Sequence, residues 1–114
     1  MVEPSVPILD THQHLWDLSR FRLPWLAGGG PLARSHVLDD YRAAAEVLNV
    51  VGTVYMEVDV EPAQKRAEAE YVVELCARND TPLAGAVIGG FPADEQFEGC
   101  LDAAARSPFV KGVR

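Results

Sequence analysis

The chain contains only two cysteines, Cys76 and Cys100, and each sits among residues of helical periodicity. A disulfide framework is thereby excluded, and two buried free thiols in a reducing cytoplasm are the expected arrangement. Basic residues are also few: ten Lys and Arg against seventeen Asp and Glu give a formal charge of -7 and a pI near 4.8. That acidic balance argues against nucleic acid or an anionic membrane as partner. No apolar run approaches the roughly 18 residues of a membrane span, and no basic-plus-apolar leader opens the chain. A disorder signature is lacking too, since 48% hydrophobic and 24% charged residues describe a globular protein. The 114 residues allow one domain at most.

What is there begins with Ile8-Leu9-Asp10-Thr11-His12-Gln13-His14-Leu15-Trp16-Asp17, a short apolar run that ends in two histidines one residue apart. In an extended strand, alternate side chains point the same way, so Asp10, His12 and His14 are expected on one face. Two imidazoles on one rigid strand can bind a divalent cation if further ligands arrive from elsewhere in the fold. Alone, a His-x-His pair more often satisfies polar needs at a strand end. The flanks, with Asp10 before the pair and Trp16-Asp17 after it, shift the balance toward a site.

A segment from about Leu18 to Val37 follows, long for a connection and therefore expected to be functional or mobile. Trp25, in Leu23-Pro24-Trp25-Leu26, either covers a pocket beside the first strand or pins the loop to the body. Gly28-Gly29-Gly30 lacks the strand, helix and lysine context of a phosphate loop and reads as flexibility. His36 reads as a surface histidine. Asp39-Asp40 opens a helix with Tyr41, Ala44, Ala45 and Leu48 at helical spacing. The run from Val50 to Val58 reads as a strand buried on both faces, ending in Glu57 and Asp59, which are expected to share a face. Pro62 starts a second helix with Ala67, Tyr71, Val72, Leu75 and Cys76 as its apolar stripe. Leu83–Ile88 is a third buried strand, Asp94 is placed to cap a third helix, and Pro108–Arg114 begins a fourth strand.

Strand alternating with helix predicts consecutive βαβ units on a parallel sheet. No dinucleotide fingerprint follows the first strand. Polar candidates fall instead at the C-terminal ends of successive strands: His12 and His14, Glu57 and Asp59, a glycine turn, then Arg114. That placement suits a TIM barrel, whose active sites are built there. Such a barrel needs about 250 residues and eight strands. The expected fold is therefore α/β, the N-terminal half of a TIM (β/α)8 barrel in about four βα units, with residues 1–114 as one domain truncated after the fourth strand begins.

The first-strand motif resembles the signature of the amidohydrolase superfamily, and Thr11-His12-Gln13-His14-Leu15-Trp16-Asp17 is similar to the lactonase-like branch that hydrolyses sugar lactones and pyrone dicarboxylate lactones. Pro24-Trp25-Leu26, Val54-Tyr55-Met56-Glu57-Val58-Asp59 and Val110-Lys111-Gly112-Val113-Arg114 resemble, in order, the loop, second strand and fourth strand of the same group. The resemblance implies a cytoplasmic hydrolase that opens a lactone or related cyclic ester or amide with an activated water. It implies His12 and His14 as metal ligands and catalytic residues, with zinc first among candidate divalent metals, although some lactonase-like members work without a metal. The substrate is expected to be a small lactone bearing carboxylate or hydroxyl groups, contacted by Arg114, Glu57 and Trp25. For Arg114 the competing reading is a salt bridge inside the barrel, and for Glu57 with Asp59 a structural pair. Lys111 has the opposite strand parity to Arg114, which speaks against a bridging-lysine role. The alternative to catalysis is a non-catalytic α/β fragment or module, one that pairs with another half-barrel or with a second copy as a homo-oligomer.

Overall fold

The computed structural model describes residues 6–114. Four strands, β1 (Ile8–Gln13), β2 (Val50–Met56), β3 (Leu83–Ile88) and β4 (Val110–Val113), form one parallel sheet in the order β1-β2-β3-β4. The connections carry α1 (Leu38–Ala44), α2 (Lys65–Ala77) and α3 (Phe97–Ala105), with single 3-10 turns at Pro24–Leu26 and Pro62–Gln64. The result is the expected α/β arrangement, four strands of a TIM-type barrel with their crossover helices. Among the described residues, β1 and β4 each pair with one strand.

Apolar side chains of α2 and of the sheet meet in a single core: Val72, Leu75 and Cys76 pack with Tyr55, Leu83, Ala86 and Ile88. Burial of this kind contributes about 1.5–3 kcal/mol per large side chain. The loop after β1 packs down as well. Phe21 and Leu23 are buried in the same core, and Trp16 and His36 close the loop as an antiparallel bridge. Gly29 and Gly30 take positive φ of 79° and 105° to make the turn between.

Helix ends depart from expectation in three places, the first being α2, which begins at Lys65 after the separate 3-10 turn at Pro62–Gln64. α1 stops at Ala44, short of Leu48, because the chain turns there to bring Asn49 beside β1, where its carbonyl accepts the Ile8 N–H at 2.8 Å. At its start, the Asp40 carboxylate accepts the Val37 N–H at 2.8 Å. Asp94 does not cap α3. Gln96 holds that position, and the Asp94 carboxylate accepts the Gln96 N–H at 2.7 Å in the turn before it. Cys76 is buried as expected, but Cys100 is exposed: α3 buries none of its residues.

Candidate functional site

The two histidines owe their direction to an irregularity in β1. Asp10 pairs with Thr53 and Gln13 with Tyr55, so three steps along β1 span two along β2. Thr53 and Tyr55 are both buried on the helix-covered face, and the Thr53 hydroxyl donates to Gln13 Oε1 at 2.9 Å. Asp10 is drawn to the same side, where Tyr41 of α1 donates to its carboxylate at 2.8 Å. Burial, with Asp10 beside it, pushes the Tyr41 phenol up to about 12. The expectation that Asp10 shares a face with His12 and His14 is thus corrected. The histidines flank Gln13 and project from the other face, both exposed.

Their rings meet edge to face, with Nε2 atoms 3.0 Å apart. His14 Nδ1 lies 3.0 Å from the Met56 carbonyl oxygen at the end of β2. A carbonyl only accepts, so Nδ1 carries the proton and Nε2 of neutral His14 presents its lone pair. In the ion-free pair, His12 Nε2–H donates to it. The same spacing suits one cation, since both nitrogens can lie within the usual Zn–N distance of about 2.0–2.1 Å from an ion off the line joining them. Among the described residues no group of three or more His, Cys, Asp or Glu converges as a metal site.

Beside this pair, at the ends of β2, β3 and β4, lies a cluster of charges. Glu57 follows β2 and is buried. Its Oε2 accepts the Asp59 N–H at 2.7 Å and lies 3.8 Å from Lys65 Nζ, while Oε1 lies 3.6 Å from Arg114 Nε. Asp59 is exposed and left-handed, at φ 52°, and reaches Lys65 Nζ at 3.2 Å. Glu57 and Asp59 are therefore joined through Lys65, not by strand parity, because β2 ends at Met56. Lys65 was not apparent from the sequence as part of this cluster. Lys111 stays apart, its Nζ donating to Pro108 O at 2.8 Å.

Trp25 donates from Nε1 to the Val58 carbonyl at 2.8 Å and packs edge to face on Trp16 at 5.6 Å, yet the residue is 47% exposed. It pins the loop across the end of β2 and also offers an open aromatic face there. His36, read as a surface residue, is half-buried against Trp16 at 4.8 Å, with Nε2 enclosed and unpartnered. A second buried polar set lies under the sheet: Glu68 of α2 accepts from the Tyr55 hydroxyl at 2.7 Å and from the Val58 N–H at 3.1 Å. Burial raises the Glu68 carboxyl above its ordinary range. A groove of about 1030 Å³ between α2 and α3 includes neither His12 nor His14.

No protein-family model matches the chain. It is 26% identical over 87 residues to the uncharacterized protein y4mH of Sinorhizobium fredii (strain NBRC 101917 / NGR234), a match covering 68% of this chain and 29% of that protein. It is similar in structure to amidohydrolase 2 from Bifidobacterium longum subsp. infantis, with a TM-score of 0.62 and 31% identity, over 76% of this chain and 34% of that one. The fold is that of half an amidohydrolase-type TIM barrel. The chain spans about a third of the length of the proteins it matches.

Proposed function

We propose that the chain is the N-terminal part of an amidohydrolase-type hydrolase that uses an activated water to open a lactone, or a related cyclic ester or amide, bearing carboxylate or hydroxyl groups. The observation that carries this reading is the His12–His14 pair, exposed at the strand end with one imidazole oriented by the Met56 carbonyl. His12 and His14 would hold a divalent cation, zinc first among the candidates. When bound, such an ion lowers the pKa of water and polarises a carbonyl. His14 keeps its Nε2 lone pair available because Met56 O holds the proton on Nδ1. Arg114 takes a substrate carboxylate through its planar fork, and Trp25 offers its open face as an apolar wall.

Both cysteines are free, which accords with the cytoplasmic location we infer. In the complete enzyme, replacing His12 and His14 together by Ala is expected to lower turnover about a hundredfold or more while the circular dichroism stays unchanged, since neither side chain is in the core. Undiminished lactone hydrolysis by that variant would overturn the assignment.

A second reading, a half-barrel that pairs with a second copy or with another half, draws on Leu9 and Val51, 56% and 61% exposed on the neighbouring strands β1 and β2. Folding that depends on protein concentration supports this reading, and a concentration-independent monomer excludes it.

A further inference from the structure

Glu57 is the fixed point of the charge cluster. Its side chain is 8% exposed, and the three groups that reach it come from separate places: the Asp59 N–H from the turn after β2, Lys65 from the start of α2, and Arg114 from the end of β4. Lys65 is nearly as enclosed, at 11%. The Phe91 ring lies 4.9 Å from its ammonium, and Gly89 passes so close that a Cβ there would sit 3.3 Å from Nζ and 3.4 Å from Glu57 Oε2. A buried carboxylate needs a compensating cation, and Lys65 is built in to supply it. Arg114 therefore need not spend its charge on Glu57.

Arg114 differs in being 55% exposed. Its backbone is held by the β3 neighbour, with Arg114 N–H donating to Ile88 O at 2.9 Å. Among the described residues, its ion-pair contact is through Nε alone. A guanidinium is planar and carries five donors, so an ion-pair contact on the Nε side, at 3.6 Å, leaves the Nη1 and Nη2 edge to meet a ligand. We propose that Glu57, backed by Lys65, is a positioning residue that aims this edge of Arg114 at a carboxylate of the substrate. The inference rests on the reading of Arg114 as the carboxylate contact. It moves Glu57 from touching substrate to acting through Arg114.

The sign of a substitution separates positioning from plain electrostatics. If Glu57 acted only as a negative charge near the site, removing it would tighten anion binding. If it positions Arg114, removing it frees the guanidinium and weakens binding. Benzoate is a suitable probe, titrated into the full chain by calorimetry and by amide and arginine Nε–H magnetic resonance. Wild type is expected to bind, Arg114→Lys to lose the interaction, and Glu57→Gln to bind about tenfold more weakly, as for a lost charge-assisted contact. Glu57→Asp keeps the charge at shorter reach and is expected to weaken binding likewise. It serves if Glu57→Gln does not fold.

Equal or tighter benzoate binding by folded Glu57→Gln or Glu57→Asp overturns the positioning role and leaves the Arg114 reading standing. Wild type that fails to bind benzoate, or Arg114→Lys that binds it as well, overturns the Arg114 reading and the positioning role with it.

Discussion

Gln13 and Thr53 are joined by a 2.9 Å hydrogen bond on the buried side of the sheet, and the histidines that flank Gln13 project from the opposite side. With Gln13 turned under the sheet, its neighbours His12 and His14 emerge above it and bring their Nε2 atoms to 3.0 Å. Zinc titrated into the chain is expected to bind one ion per chain. His12→Ala or His14→Ala should each weaken uptake about tenfold or more, and the double variant should abolish it. Calorimetric uptake by the double variant equal to wild type would show that the pair is not a ligand set.

The buried Glu68 predicts a pH signature. Burial raises its carboxyl above the ordinary 4.5, so the folded chain holds this proton more tightly than the unfolded chain. Its stabilising contribution is complete below 4.5 and declines as pH rises toward the raised value. Glu68→Gln cannot ionise, and in urea titrations across that window its stability should hold steady while that of the wild type falls. Glu68→Ala leaves the Tyr55 hydroxyl and Val58 N–H without their acceptor and should cost about 2–4 kcal/mol. A Glu68→Gln profile that falls in parallel with wild type would contradict the account.

Two glycines should respond in opposite directions. A Cβ at Gly85 would lie 2.9 Å from Lys111 Cγ and 3.2 Å from the Phe109 carbonyl oxygen. That carbonyl is held by Ala86 N–H at 2.9 Å, so β3 and β4 cannot part freely. Gly85→Ala should destabilise by about 1–3 kcal/mol. Gly99 lies within α3 with nothing inside 4 Å, and Gly99→Ala should stabilise by about 0.5–1 kcal/mol. Thermal unfolding of the pair checks both signs.

The two thiols should separate kinetically. Cys76 is buried and its thiol is pushed up by burial, whereas Cys100 is exposed. A chromogenic disulfide reagent should label one thiol per native chain quickly and the second only on unfolding, and Cys100→Ser should remove the fast phase. Two fast equivalents in the native chain would mean that Cys76 of α2 is not buried against the sheet as described.

How far the sequence could be read depended on how far apart the partners lie. β3 is a continuous apolar run and is legible to the residue, Leu83–Ile88, because no polar residue interrupts it, although Ala84 is exposed. The His12–His14 pairing was legible for the same local reason, being a matter of alternation along one strand. Asp10 was misplaced because one extra residue in β1 changes which side it faces, and only its partners Thr53 and Tyr41 reveal the shift. Glu68 was illegible because a glutamate in an amphipathic helix looks solvated until a buried tyrosine comes beneath it.

The sequence by itself determined the alternation of strand and helix, the parallel sheet that this implies, and the placing of polar residues at strand ends. These follow from hydrophobic periodicity and from the geometry of short crossovers. Only the tertiary structure decided which of those residues act together. Glu57, Lys65 and Arg114 lie on three different elements, and their meeting depends on strand order and register. Alternation along a strand is set within a few residues of chain. Contacts between strand ends are set by the side-by-side packing of whole βα units, for which no short stretch of sequence carries a signal.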